Sequence, residues 1–227
     1  MAENKHNNQE ENKIEQLNEH LTNVSERLVN NKKIIFWVVG AVILVAVLLM
    51  SYIFMYQNPQ NNDSFDAYNK VELSAANDTV AAMGYKKVAD QYGNTKGGNV
   101  AALSAGESYY NIGKYQEALT YLQKFSTSDK VLMANVQILI GDCYVNLKKY
   151  PEALESFDKG ISTADGNDQI VPRAQLKKAV VFDHLKKYAE ALQCYETIKS
   201  EFPNFMPGSG MSLDGYIARE KARLGQK

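Results

Sequence analysis

Lys149-Tyr150-Pro151-Glu152-Ala153-Leu154 is one of three copies of a single phrase in this chain. The others are Lys114-Tyr115-Gln116-Glu117-Ala118-Leu119 and Lys187-Tyr188-Ala189-Glu190-Ala191-Leu192. Their alanines stand 35 and then 38 residues apart. Recurrence at a period of about 34 marks a helical solenoid, in which each helix pair buries its apolar face only by stacking on its neighbours. Such folds present a curved surface to another macromolecule more often than they carry out a reaction.

Each phrase opens the second helix of a hairpin. Upstream lies a small residue followed three positions on by an aromatic: Gly106 with Tyr109, Gly141 with Tyr144, Ala179 with Phe182. The small residue allows close helix approach, and the aromatic shares its face. Ile112, Leu147 and Leu185 close the first helices. Turns follow at Gly113-Lys114, Lys148-Lys149 and Lys186-Lys187, and Pro151 falls where a helix start tolerates it. Ala118, Ala153 and Ala191 are the second close-approach points. Leu122, Phe157 and Tyr195, four residues later, are expected to pack on the next unit.

These spacings resemble the tetratricopeptide repeat family, in three units at 99–133, 134–171 and 172–208. The resemblance implies an all-α, right-handed solenoid of helical hairpins. Pro203 ends the third unit as the family consensus does. The consensus tryptophan is absent, with Ala102, Gln137 and Gln175 in its place. Phe125, Gly160 and Ile198 stand where a late alanine is expected. A degenerate first repeat is read at 63–98, from Phe65, Tyr68 and Val71 and then Ala81, Tyr85, Val88 and Tyr92. Leu213, Tyr216, Ile217 and Leu224 share one face of a capping helix over 211–224.

Ahead of the repeats, Ile34 to Tyr56 holds 23 residues and no charge. As a helix it spans about 35 Å, enough for a hydrocarbon layer of about 30 Å. Trp37 marks one interface; Tyr52 and Tyr56 mark the other. Arg27, Lys32 and Lys33 flank the N-terminal side, and no Lys or Arg follows until Lys70. The positive-inside rule puts residues 1–33 in the cytoplasm and the rest across the membrane, with 57–62 as a linker. The apolar stretch is too long for a cleaved leader, and no small-x-small site follows it. In a bacterium this reads as a single-pass inner-membrane protein with a periplasmic domain. In the leader, Ile14, Leu17, Leu21, Val24 and Leu28 form two heptads. They read either as a short helical contact or as an amphipathic extension on the bilayer.

After the anchor the chain carries 20 basic and 20 acidic residues. A neutral domain has no electrostatic claim on nucleic acid. Cys143 and Cys194 read as small packing residues, with a disulfide left open. Catalytic motifs, metal-ligand spacing and cofactor loops are missing from the pattern. His6, His20 and His184 are scattered, and Asp165-Gly166-Asn167-Asp168 lacks the alternating ligands and closing Glu of a calcium loop. The reading is therefore of a non-enzyme without metal, cofactor or small-molecule substrate.

In the tetratricopeptide family, first helices line a concave groove. By that resemblance the groove here holds Leu103, Glu107, Tyr110, Ile138, Asp142, Val145, Asn146, Leu176, Val180 and Asp183. Leu103, Ile138 and Leu176 replace the lysines that family members use to clamp a terminal carboxylate. An apolar, mildly acidic groove suits an extended apolar or basic segment, or a partner helix. The layout is similar to membrane-anchored tetratricopeptide proteins of the YfgM type, ancillary subunits of the SecYEG translocon that work with a PpiD-like chaperone. Tyr85 to Thr95 and Tyr216-Ile217-Ala218-Arg219 resemble Bacteroidetes members of that layout. The resemblance implies an adaptor between translocon or chaperone and exported proteins. The alternative is an envelope-assembly or cell-division scaffold that acts through the cytoplasmic heptads.

Overall fold

A computed structural model describes residues 32–208 and 210–226. The leader heptads lie outside the described residues. The chain divides into two compact units, Met1–Pro59 and Gln60–Lys227.

In the first unit, α1 (Lys32–Tyr52) runs into a π-helical turn at Ile53–Gln57. Among the described residues its large apolar side chains are exposed, Phe36, Trp37 and Leu48 among them, as is Met55 in the turn. Among the described residues one helix is long and apolar enough to cross a membrane. The expected linker at 57–62 is itself helical, because α2 (Asn58–Ser74) begins at Asn58.

The second unit is all-helical among the described residues. After α2 come α3 (Asp78–Gln91), α4 (Lys96–Asn111) and α5 (Tyr115–Leu122). Then follow α6 (Lys130–Asn146), α7 (Tyr150–Ala164), α8 (Ile170–His184), α9 (Tyr188–Glu201) and α10 (Leu213–Arg223). From α3 onward each helix packs on the next in chain order. The first helices start at 96, 130 and 170, two to four residues before the boundaries read from the repeat phrase. Local caps explain the shift. Thr95 Oγ1 accepts from the Gly98 N–H, Asp129 Oδ1 from Leu132, and Asn167 Oδ1 from Gln169 and Ile170.

All three hairpin turns share one geometry. The Lys114 N–H donates to the Tyr109 carbonyl and Gly113 to Tyr110; Lys149 to Tyr144 and Lys148 to Val145; Lys187 to Phe182 and Lys186 to Asp183. This paired arrangement satisfies the last carbonyls of each first helix, and it needs a left-handed residue at the corner. Gly113 supplies it at φ 76°, but Lys148 and Lys186 adopt φ 58° and 60°.

Inside each hairpin the small residues meet the second helix directly. A Cβ on Gly106 would lie 2.5 Å from Leu122 Cγ, and one on Gly141 would lie 2.4 Å from Phe157 Cε1. Leu122, Phe157 and Tyr195 are completely enclosed, since they also join the next unit's core. Leu122 shares a core with Val136 and Ile140; Phe157 shares one with Val171 and Ala174. Tyr195 stacks on Tyr216 of α10 at 4.8 Å between ring centroids, so α10 seals the last hairpin. The first hairpin is looser but follows the same plan: Val71 sits against Gly84, and the Tyr68 and Tyr85 rings are 5.1 Å apart.

One element departs from the repeat. Helix α5 has 8 residues where α7 has 15 and α9 has 14. Ser126-Thr127-Ser128 follows it, residues that compete with helical backbone bonds. The Asn99 side chain takes over their pairing, donating to the Ser126 carbonyl at 2.8 Å and accepting its N–H at 3.0 Å.

Candidate protein-binding face

The first helices α4, α6 and α8 stand side by side, and their contacts recur about one repeat apart. Tyr68 meets Ser104, 36 residues on, at 3.2 Å. Arg173 donates to Asn135, 38 residues back. Lys177 Nζ donates to both Asp142 oxygens at 2.9 Å, across 35 residues. Side chains thus link first helices about one repeat apart, and the exposure and pairing of the groove residues differ from the reading above.

On α4, Leu103 and Tyr110 are half-buried and Glu107 is exposed. Tyr110 packs edge-on to Tyr115 at 5.5 Å and lies beside Asp142 and Asn146. Burial raises the Tyr110 phenol above its ordinary value. Ile138 is a correction: it is only 3% exposed and packs between α6 and α7, with Cγ1 toward Gly160. One residue's shift round a helix is about 100°, enough to turn an inner-face position into a core one. Leu176 is likewise partly buried against the last core, and the residue that reaches across to α6 is its neighbour Lys177. Val145 is half-buried, Asn146 is exposed, and Val180 is 48% exposed.

The acids are a second correction. Asp142 is matched by Lys177, with Arg173 nearby; desolvation outweighs both and pushes its carboxyl up. Asp183 is held by Arg219 of α10 at 2.6 Å and by Arg223. Those arginines also pair with Glu220, which is fully buried in the same cluster. The face is close to neutral rather than acidic. Glu107 alone of the three acids has no ion pair or hydrogen bond among the described residues, and partial desolvation raises its carboxyl above the usual range. Lys177, Arg173 and the cap arginines were missed in the sequence reading. Their signal was available: each lies about one repeat from its partner.

Elsewhere, Asp165 pairs with Lys130 at 2.8 Å, which occupies the carboxylate of the calcium-like loop. His184 Nε2 meets the Tyr150 hydroxyl at 2.7 Å. Among the described residues no group of three or more His, Cys, Asp or Glu is placed to hold a metal. Cys143 and Cys194 are unlinked, and burial pushes the Cys143 thiol up to about 12, far from a reactive thiolate.

Residues 103–169 and 173–204 match tetratricopeptide repeat family models. A crystal structure of MamA protein superposes with a TM-score of 0.57 at 20% identity, covering 74% of this chain and 84% of that one. Another MamA crystal structure gives a TM-score of 0.53 at 22% identity, covering 65% and 79%. At these identities the likeness is one of fold. No curated protein sequence matches the chain.

Proposed function

We propose, from the tetratricopeptide repeats at 103–169 and 173–204, that this chain is a non-enzymatic adaptor that holds a polypeptide partner on the face of α4, α6 and α8. The observation that carries the reading is that face: exposed Asn146 and Val180 and half-buried Tyr110 and Val145 on successive first helices. Helix α1 fastens the adaptor in a bacterial inner membrane, N-terminus in the cytoplasm and repeats in the periplasm. The uncharged stretch from Ile34 to Tyr56 and the lysines on one flank support that orientation. The partner is a component of the export route: a SecYEG-type translocon, a PpiD-like chaperone or an exported client.

Photo-cross-linkers placed at Tyr110 and Val145 of the full chain in cells test this. Recovery of a translocon subunit, membrane chaperone or exported chain from these positions, and not from Glu117 on α5, supports it. Recovery of none of these would remove the adaptor reading.

A further inference from the structure

We infer that Glu107 is the specificity-determining contact of this face, and that the segment docked there is an apolar peptide whose Lys or Arg side chain pairs with it. The inference rests on the binding reading above and deepens it by naming the ligand chemistry.

Three acids belong to the face, and two are already neutralised within the fold. Asp142 holds Lys177 through both oxygens, and Asp183 holds Arg219 and Arg223. A ligand cation gains little from an acid whose charge is already matched. Glu107 is different. It has lost part of its solvent, and no described residue compensates it. A partly desolvated carboxylate without a partner is an unfavourable arrangement that an incoming cation relieves. The surroundings fix the rest of the ligand. Leu103 lies one turn before Glu107 on the same helix and Tyr110 one turn after. Val145 adds apolar surface on the adjacent helix α6, where Asn146 lies beside Tyr110. A docked cation therefore has apolar neighbours on both sides. The same arrangement disfavours an acidic tail, whose charge would meet Glu107 directly.

The test uses the full chain in nanodiscs of neutral phosphatidylcholine. The probes are two fluorescein-labelled decapeptides of Leu and Ala, one with a central Lys and the other with Asp at that place. Fluorescence anisotropy is expected to show the Lys peptide binding about tenfold tighter, the effect of one charge-assisted pair. Glu107→Gln brings the two peptides to similar affinity, and Glu107→Lys reverses the preference. Glu117→Gln, an equal change of charge on α5, keeps the original ratio. Equal binding of both peptides by the parent chain, or a ratio unchanged in Glu107→Gln, overturns the inference and leaves the binding face standing. Failure of every form to bind either peptide overturns the binding reading itself.

Discussion

Replacing Lys148 and Lys186 by glycine should make this protein more stable, although both lysines lie in the repeated phrase's own turn. Both occupy the left-handed region, at φ 58° and 60°, in a turn whose first copy uses Gly113 at φ 76°. A side chain in that region costs about 1–2 kcal/mol through the clash of Cβ with the carbonyl oxygen. Glycine removes that cost but adds about 0.5–1 kcal/mol of unfolded-chain entropy. The net gain is about 0.5–1 kcal/mol per site. The sites lie in different hairpins 38 residues apart, so the gains should add. The double variant should gain about 1–2 kcal/mol, a rise in Tm of about 2–8 °C for a domain of this size. Neither lysine forms an ion pair among the described residues, so no partner is lost. The reverse change supplies the control. Nothing lies within 4 Å of a Cβ on Gly113, so any loss in Gly113→Ala is purely a backbone effect. Thermal melts of the detergent-solubilised full chain by far-UV circular dichroism compare these four variants with the parent. A lower Tm for either Lys→Gly variant, or an unchanged Tm for Gly113→Ala, would refute the strain argument.

Other perturbations have signs set by particular contacts. Gly141→Ala gains about 1 kcal/mol of helix propensity, yet its Cβ would stand 2.4 Å from the enclosed Phe157 ring, so the same melts should show a net loss of about 1–2 kcal/mol. Tyr195→Phe should be neutral or stabilise by about 1 kcal/mol in urea titrations, because the Tyr195 hydroxyl is buried without a hydrogen bond and the ring's stack on Tyr216 survives. Asp90 bears on acid stability. Partial burial opposes its ionisation, but hydrogen bonds from Lys124, Lys86 and Tyr121 prevail and hold its carboxyl at about 2. Its folded value is thus depressed, so its contribution is present above the unfolded carboxyl range and lost as pH falls from about 4 toward 2. Because the pairs are solvent-exposed the contribution is about 1 kcal/mol or less, and Asp90→Asn should flatten that part of the stability–pH curve. Finally, protease added to intact spheroplasts should digest the repeats and spare the leader; the opposite pattern would reverse the proposed topology.

The all-helical class and the hairpin plan were legible in the sequence. Gly106 and Gly141 mark close approaches that leave no room for a Cβ, and Ala179 holds the same place fully buried, so spacing alone exposes them. The corner lysines were legible as a turn but not as strained backbone, since lysine carries no signal for a left-handed φ. The short α5 was not legible either: the segment after it pairs at Ser126 with Asn99, 27 residues away.

The sequence by itself determined which residues repeat, and hence that helices pair, stack and need a cap at α10. It also determined that Ile34 to Tyr56 has no charge to keep it in water. Tertiary structure alone decided what the presumed binding face contains. A turn of about 100° per residue separates Ile138 in the core from the positions beside it, and that rotation is fixed by packing against α7. Whether an acid is available to a ligand depends on a partner a whole repeat away: Lys177 for Asp142, and Arg219 and Arg223 for Asp183. Charge is read from composition, but its neutralisation is a matter of distance, and distance exists only in the fold.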